Sequence, residues 1–225
     1  MASFRQKTHR LIASRWPTIG VFDDLVPADD IPALLELELA SNDRLTGALG
    51  RLQSIPRAEW AIGKPGAHYA MAAFLHPSPD GARFNTAVLG AWYASLDVTT
   101  ALTETRYHHT RKLAASSAGF PARIQMRELV SSPDCDLVDI RPEYSPENRL
   151  YEKADYAMSQ SFGEKIRAAQ QDGIWFTSVR RPEGENIVLF KPRLIPPVRQ
   201  ANHFEYAWDH AGNCGVARLT DVNLA

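Results

Sequence analysis

Leu89-Gly90-Ala91-Trp92-Tyr93-Ala94-Ser95-Leu96-Asp97-Val98-Thr99-Thr100-Ala101-Leu102-Thr103-Glu104 passes from one backbone regime to another within sixteen residues. Trp92 and Tyr93 favour a pleated surface, and Gly90 marks where the pleat starts, so 89–95 reads as a strand. Asp97 or Thr99 can cap a helix, and the pattern from there to about Lys112 reads as helical. Ala101, Glu104, Thr105 and His108 then fall on one helical face.

Working outward, the same alternation of short strands and helices recurs without a regular rhythm. Upstream, 8–13 is a strand candidate and 15–27 is irregular. Asp30-Ile31-Pro32 looks like a helix entry, with Asp30 as cap and Pro32 in the first turn, and the helix runs to about Asn42. A single helical turn fits 55–62, Lys64-Pro65-Gly66 breaks it, and 68–75 is alanine-rich and helical. Downstream, 123–130 and 137–140 are strand candidates. The longest helical pattern is 153–171, closed by Gly173, and 174–179, 187–191 and 203–209 are further strands. The Pro-rich 192–197 joins the last two and suits a sheet edge. There is no βαβ rhythm and no Gly-rich phosphate loop, so the expected class is α+β, with short-stranded mixed sheets and surrounding helices. No linker divides residues 1–225, which read as one domain.

The chain has 225 residues, 44% hydrophobic and 23% charged, with a formal net charge of −1. These are values of an ordinary globular domain with a usable core. A near-neutral chain without a basic stripe disfavours nucleic acid and anionic membranes as partners. The first fifteen residues carry Arg5, Lys7 and Arg10 but no apolar signal core, and no apolar run approaches the ~20 residues of a membrane span, so a cytoplasmic location is expected. Cys135 and Cys214 read as reduced thiols in loops.

Four residues carry chemistry. Arg83, just after the Pro/Gly loop 76–81, offers a planar fork of donors for phosphate or ribose oxygens; it also reads as a surface arginine. Tyr93 offers a ring for stacking with its hydroxyl held by a partner, or serves as a half-buried core tyrosine. Glu104 lies among small residues, where a carboxylate is costly unless paired or used; otherwise it belongs to a solvated face beside Arg106 or Arg111. Ser178 follows the strand-like Ile174-Trp175-Phe176-Thr177. It is not in a Gly-x-Ser-x-Gly elbow, so it suits hydrogen bonding to a ligand or to the carboxylate better than acyl transfer. His108 and His109 point apart on a helix and lack partners at metal-ligand spacing, so no metal site is expected.

In order along the chain, Arg83-Phe84-Asn85, Tyr93-Ala94, Ala101-Leu102-Thr103-Glu104 and Ser178-Val179-Arg180, followed by Asn186 and Phe190, resemble the RES family. His9-Arg10-Leu11 is similar to that family's opening strand. The similarity is strongest over 83–109 and 174–190. Ala82-Arg83-Phe84-Asn85 departs from the usual Gly-Arg-Trp-Asn, and 31–75 is longer than in compact members, which reads as a helical insertion over the pocket or at an interface.

The resemblance implies a fold similar to ADP-ribosyltransferases and a toxin of a bacterial toxin–antitoxin pair that depletes NAD by cleaving the nicotinamide–ribose bond. Water, phosphate or a protein serves as acceptor in different members, so hydrolase, phosphorylase and mono-ADP-ribosyltransferase readings all stand. It implies Arg83, Tyr93, Glu104 and Ser178 as catalytic residues, with Arg10 and Asn186 joining Arg83, Tyr93 and Ser178 in binding NAD. NAD is then substrate, with no further cofactor. An Xre-type antitoxin is the implied partner, and a homodimer is compatible with the sequence. The rival class is a non-catalytic module that only binds a partner; retention of all four residues weighs against it.

Overall fold

The computed structural model describes residues 1–15 and 46–220. The irregular run after Arg15, the helix entered at Asp30 and the first part of the 31–75 insertion lie outside the described residues. Nine strands form one mixed sheet: β1 (Ala2–Phe4), β2 (Thr8–Ala13), β3 (Trp92–Ser95), β4 (Ala122–Ser131), β5 (Cys135–Asp139), β6 (Gly173–Thr177), β7 (Glu185–Leu189), β8 (Val198–Trp208) and β9 (Cys214–Leu219). Their spatial order is β1-β5-β6-β7-β3-β2-β4-β8-β9. Only β5 and β6 run parallel. Four described helices pack on it: α1 (Thr46–Ser54), α2 (Ala67–Leu75), α3 (Val98–Ala114) and α4 (Ala157–Ala168). None is long and apolar enough to cross a membrane.

The period-2 alternation of the strands sorts the core by face. Trp92, Ala94, Leu129, Trp175, Ile187 and Leu189 share a cluster with α1 and α2 through Leu52, Met71 and Phe74. On the opposite face, Phe84, Ile174, Phe176 and Val188 pack under α4 through Phe162 and Ile166. Leu11, Met126, Phe204 and Tyr206 pack under α3 through Ala101 and Leu102. The second face therefore carries two cores side by side, one under each helix.

Asp97 is the cap of α3. Its Oδ1 accepts from the Thr100 amide at 2.8 Å and its Oδ2 from the Thr100 hydroxyl at 2.6 Å. The expected helix over 153–171 shrinks to α4, twelve residues, while α3 with seventeen is longer. Asp155 receives the Ala157 amide at 2.9 Å and fixes the start. The end comes at Gln170, whose φ of +58° leaves the helical region. Gly173 belongs instead to β6, paired with Leu189. Pro192–Leu194 in the Pro-rich 192–197 forms a 3-10 turn rather than a strand, and the first residues of β8, 198–202, lie against β4 alone because β9 joins only from His203. Cys135 and Cys214 are free thiols but sit in β5 and β9 rather than in loops.

Candidate functional site

On the two-core face a cavity of about 790 Å³ opens along α3. That volume falls inside the roughly 300–1,000 Å³ of ligand sites. Ala101, Glu104, Thr105 and His108 all line it, the four residues expected on one helical face.

Glu104 is pinned by one oxygen. Its Oε1 accepts from the Ser178 hydroxyl at 2.6 Å and from Asn186 Nδ2 at 3.1 Å. Its Oε2 has no partner among the described residues. Hydrogen bonds to a charged group stabilise by about 1.5–3 kcal/mol, so two donors hold a part-buried carboxylate where a lone one would be costly.

The donors are themselves fixed. Ser178 follows β6 directly and is fully buried; its Oγ accepts from the amides of Arg180 at 3.2 Å and Arg181 at 3.0 Å. With two amides donating to it, the hydroxyl proton is left for Glu104. Asn186 stands opposite Ser95 in the β3–β7 ladder. The Ser95 hydroxyl donates to Asn186 Oδ1 at 2.6 Å, which orients the amide so that its NH₂ faces Glu104. Ser178 does not line the cavity. The expectation that it touches ligand therefore gives way to its alternative role, orienting the carboxylate. Asn186 lines the cavity, but one of its amide protons is committed to Glu104.

Arg83 lies in a tight turn in which Ala82 N donates to Asn85 O at 2.8 Å. Gly81, at φ +70°, allows the turn. The guanidinium is buried, and Nη1 donates to the carbonyls of Leu150 at 3.0 Å and Glu152 at 2.9 Å. Its plane lies over the Tyr156 ring at 4.7 Å. Burial lowers its pKa, and Tyr156 and Glu104 oppose the shift. One nitrogen is thus spent on the 150–152 segment, and the side chain still lines the cavity beside Glu104.

Tyr93 ties the turn to the sheet. Its hydroxyl accepts from Phe84 N at 2.8 Å and donates to Asn85 Oδ1 at 2.9 Å. Burial raises its pKa, so the phenol stays neutral. With the hydroxyl consumed, the ring is what it offers to the cavity. Phe84, in place of the family's Trp, meets Phe176 edge-on at 4.9 Å and keeps the aromatic anchor.

Arg10 occupies a seam. β2 and β3 share the register pair His9–Ser95 and part beyond it. Arg10 Nη1 reaches across to the Tyr93 carbonyl at 2.9 Å, with its guanidinium over the Trp92 ring at 4.8 Å. Burial lowers its pKa to about 10, opposed by Tyr93. It lines the cavity as well. Ser95 and Tyr156 escaped the sequence reading. The signal for Ser95 was a small hydroxyl at an inward strand position; for Tyr156 there was none, because its partner Arg83 is distant in sequence.

Among the described residues no group of three His, Cys, Asp or Glu is placed to hold a metal ion. His108 faces the cavity, while His109 packs on Tyr206 with ring centroids 6.4 Å apart.

The uncharacterized protein y4oC of Sinorhizobium fredii is 27% identical over 215 residues, covering 92% of this chain and 85% of its own. The M. tuberculosis MbcT–MbcA toxin–antitoxin complex contains a chain that superposes with a TM-score of 0.47 at 10% identity, over 89% of this chain and 85% of that one. That likeness is too slight to build on. Residues 58–209 match the RES domain. The span holds Arg83, Tyr93, Glu104, Ser178 and Asn186, and leaves Arg10 outside it. By that match, which runs over the larger part of its length, the chain belongs to the RES domain family.

Proposed function

We propose that this protein is the toxin of a toxin–antitoxin pair and consumes NAD by breaking the bond between nicotinamide and ribose. One observation carries the reading. Glu104 is held by Ser178 and Asn186 through Oε1, leaves Oε2 without a partner among the described residues, and lines a cavity shared with Arg83 and Tyr93.

Nicotinamide leaves as a neutral base, and the ribose it leaves passes through an oxocarbenium-like transition state. A fixed carboxylate beside that developing charge stabilises it without reorganising at the moment of reaction. Oε2 of Glu104 takes this role or holds the ribose hydroxyls. The Tyr93 ring packs the nicotinamide ribose, Arg83 and Arg10 face the anionic part, and Ser178 keeps the carboxylate aimed. NAD is consumed as substrate, and no metal enters the scheme.

The family resemblance also supports an Xre-type antitoxin as the partner that silences the protein. The decisive experiment is product analysis after incubating the purified protein with labelled NAD, with and without phosphate. ADP-ribose or its phosphorylated form supports the reading and names the acceptor. Label on a protein means mono-ADP-ribosyl transfer. Intact NAD in every condition ends the reading in favour of a partner-binding module.

A further inference from the structure

A row of paired residues crosses the cavity floor. Val130 of β4 stands opposite His9 of β2, His9 opposite Ser95 of β3, and Ser95 opposite Asn186 of β7. Residues directly opposite one another share a face of the sheet, and His9, Ser95 and Asn186 all line the cavity. Ser95 and Asn186 already serve Glu104. His9 has no part in holding that carboxylate, and it lies outside the residues matched to the family.

Behind His9 stands a buried carboxylate. Glu128 is opposite Leu11 and so reaches His9 on the diagonal. His9 Nδ1 donates to Glu128 Oε1. Glu128 Oε2 accepts from Asn202 Nδ2 at 2.5 Å and from the Asn202 amide at 3.2 Å. A bulge frees that amide: Ala201 and Asn202 together face the single residue Glu128, between the pairs Arg127–His203 and Leu129–Gln200. Burial alone would raise the Glu128 pKa, but the bonds from His9 and Asn202 bring it below the ordinary value. A carboxylate only accepts, so Nδ1 carries the proton. In the neutral ring Nε2 is then a bare acceptor, and it has no partner among the described residues.

A plainer account is that His9 only satisfies a buried carboxylate. That covers Nδ1 and Glu128. A buried pair is a weak stabilising device, however, and this one interrupts the β4–β8 ladder and places a second nitrogen in a cavity wall. The location suits work beside Glu104. Two strand spacings, roughly 9–10 Å, part the backbones of His9 and Asn186, and the small Ser95 lies between them. Glycosidases that deliver water to a sugar opposite its leaving group keep their two groups about 6.5–9.5 Å apart.

We propose that His9 is the general base that activates an acceptor water, with Glu128 positioning its ring. The dyad rests on the NAD reading and selects water as the acceptor. As the bond between ribose C1′ and nicotinamide breaks, its electron pair leaves with nicotinamide, which departs neutral. The water oxygen bonds to C1′, and its proton passes to His9 Nε2. The imidazolium keeps its bond to Glu128 and later returns the proton to solvent. The products are ADP-ribose, nicotinamide and one proton.

The test uses an acceptor that has no proton to lose. The full chain and its His9→Asn variant are incubated with NAD in phosphate-free buffer, with and without azide. Asparagine keeps a donor for Glu128 and removes the base. ADP-ribose formation falls about 10²-fold in the variant, while ADP-ribosyl azide forms at close to the wild-type rate. Unchanged hydrolysis, or an equal loss of both products, overturns the proposal. Glu128→Gln lowers hydrolysis selectively in the same way, and a parallel loss of azidolysis marks Glu128 as structural and removes the dyad. If His9→Asn does not fold, or azide gives no product, wild-type hydrolysis in D₂O decides. It runs slower than in H₂O when a proton is in flight, and equal rates overturn the base. The parent reading fails separately. Intact NAD with the wild type ends that reading and the dyad's role with it. NAD consumed by the wild type only in the presence of phosphate keeps the reading and overturns the dyad.

Discussion

Glu104 and His108 stand one turn apart on the same face of α3 and meet opposite conditions. Around Glu104 the polar groups are settled. Oε1 has two donors, and each donor has its own fixed partner behind it. Around His108 the electrostatics are unfavourable to charge, with burial and the cations Arg180, Lys112, Arg83 and Arg111 lowering its pKa. Under the proposed function, the difference assigns two kinds of work to one helix. A rigid carboxylate suits charge that develops only in a transition state, and a cationic cluster suits charge that the ligand already carries.

The comparison breaks most sharply at Glu104. Glu104→Gln keeps the shape and removes the charge, so NAD turnover is expected to drop about 10²-fold or more while ADP-ribose affinity stays near wild type. Steady-state kinetics with parallel calorimetry checks both halves; full turnover in the variant ends the assignment. Arg83→Ala touches both ends, since Arg83 lines the cavity and holds the carbonyls of Leu150 and Glu152. Its ADP-ribose affinity should fall about tenfold, and hydrogen exchange across 149–156 should quicken.

Ser178→Ala removes one of the two donors to Glu104, and kcat should fall by about ten- to a hundredfold with KM little changed, because about 1.5–3 kcal/mol of carboxylate positioning is lost. Ser95→Ala acts at one remove. With no hydroxyl to orient the Asn186 amide, kcat should fall a few-fold, near 1 kcal/mol. Introducing it into Asn186→Ala should cost nothing further, and additive losses in that double-mutant cycle would dissociate Ser95 from the carboxylate.

The smallest effect is on stability. Burial, aided by Lys112 and Arg15, lowers the His109 pKa to about 4. The unfolded chain takes up that proton at higher pH than the folded one, so the neutral imidazole's contribution is whole above about 6.5 and is lost as pH falls toward 4. Melting temperatures at pH 7 and pH 5 should differ more in wild type than in His109→Asn, and equal gaps would show that His109 does not set the acid limb.

Much of the frame was legible because it is written locally. The capped start of α3 follows from Asp97, β3 from Trp92 and Tyr93, and the Glu104 face from helical spacing. What escaped depends on distant pairing. β1 is three residues long and is a strand because it pairs with Cys135–Leu137 across the chain. β9 comes after a turn in which Asp209 accepts from the Ala211 and Asn213 amides and Gly212 adopts φ +82°, a signal present in the sequence but passed over. The early start of β8 was hidden because Arg199 and Gln200 are exposed and break the hydrophobic alternation. At the site, the residue types were readable and their division of labour was not. Nothing in the local sequence says that Ser178 is fully buried, or that Asn186 spends its amide on a neighbour rather than on a ligand.

Helix α4 crosses the turn that carries Arg83 so closely that a β-carbon at Gly163 would stand 2.0 Å from the Phe84 carbonyl oxygen. A single added methyl there would wedge the helix off that turn and strain the bonds by which the Tyr93 hydroxyl ties Phe84 N and Asn85 Oδ1 to the sheet. Under the proposed function, the protein can therefore be disarmed from behind by a change that meets no substrate atom, and a second-site shift of α4 would be the natural route to re-arming it.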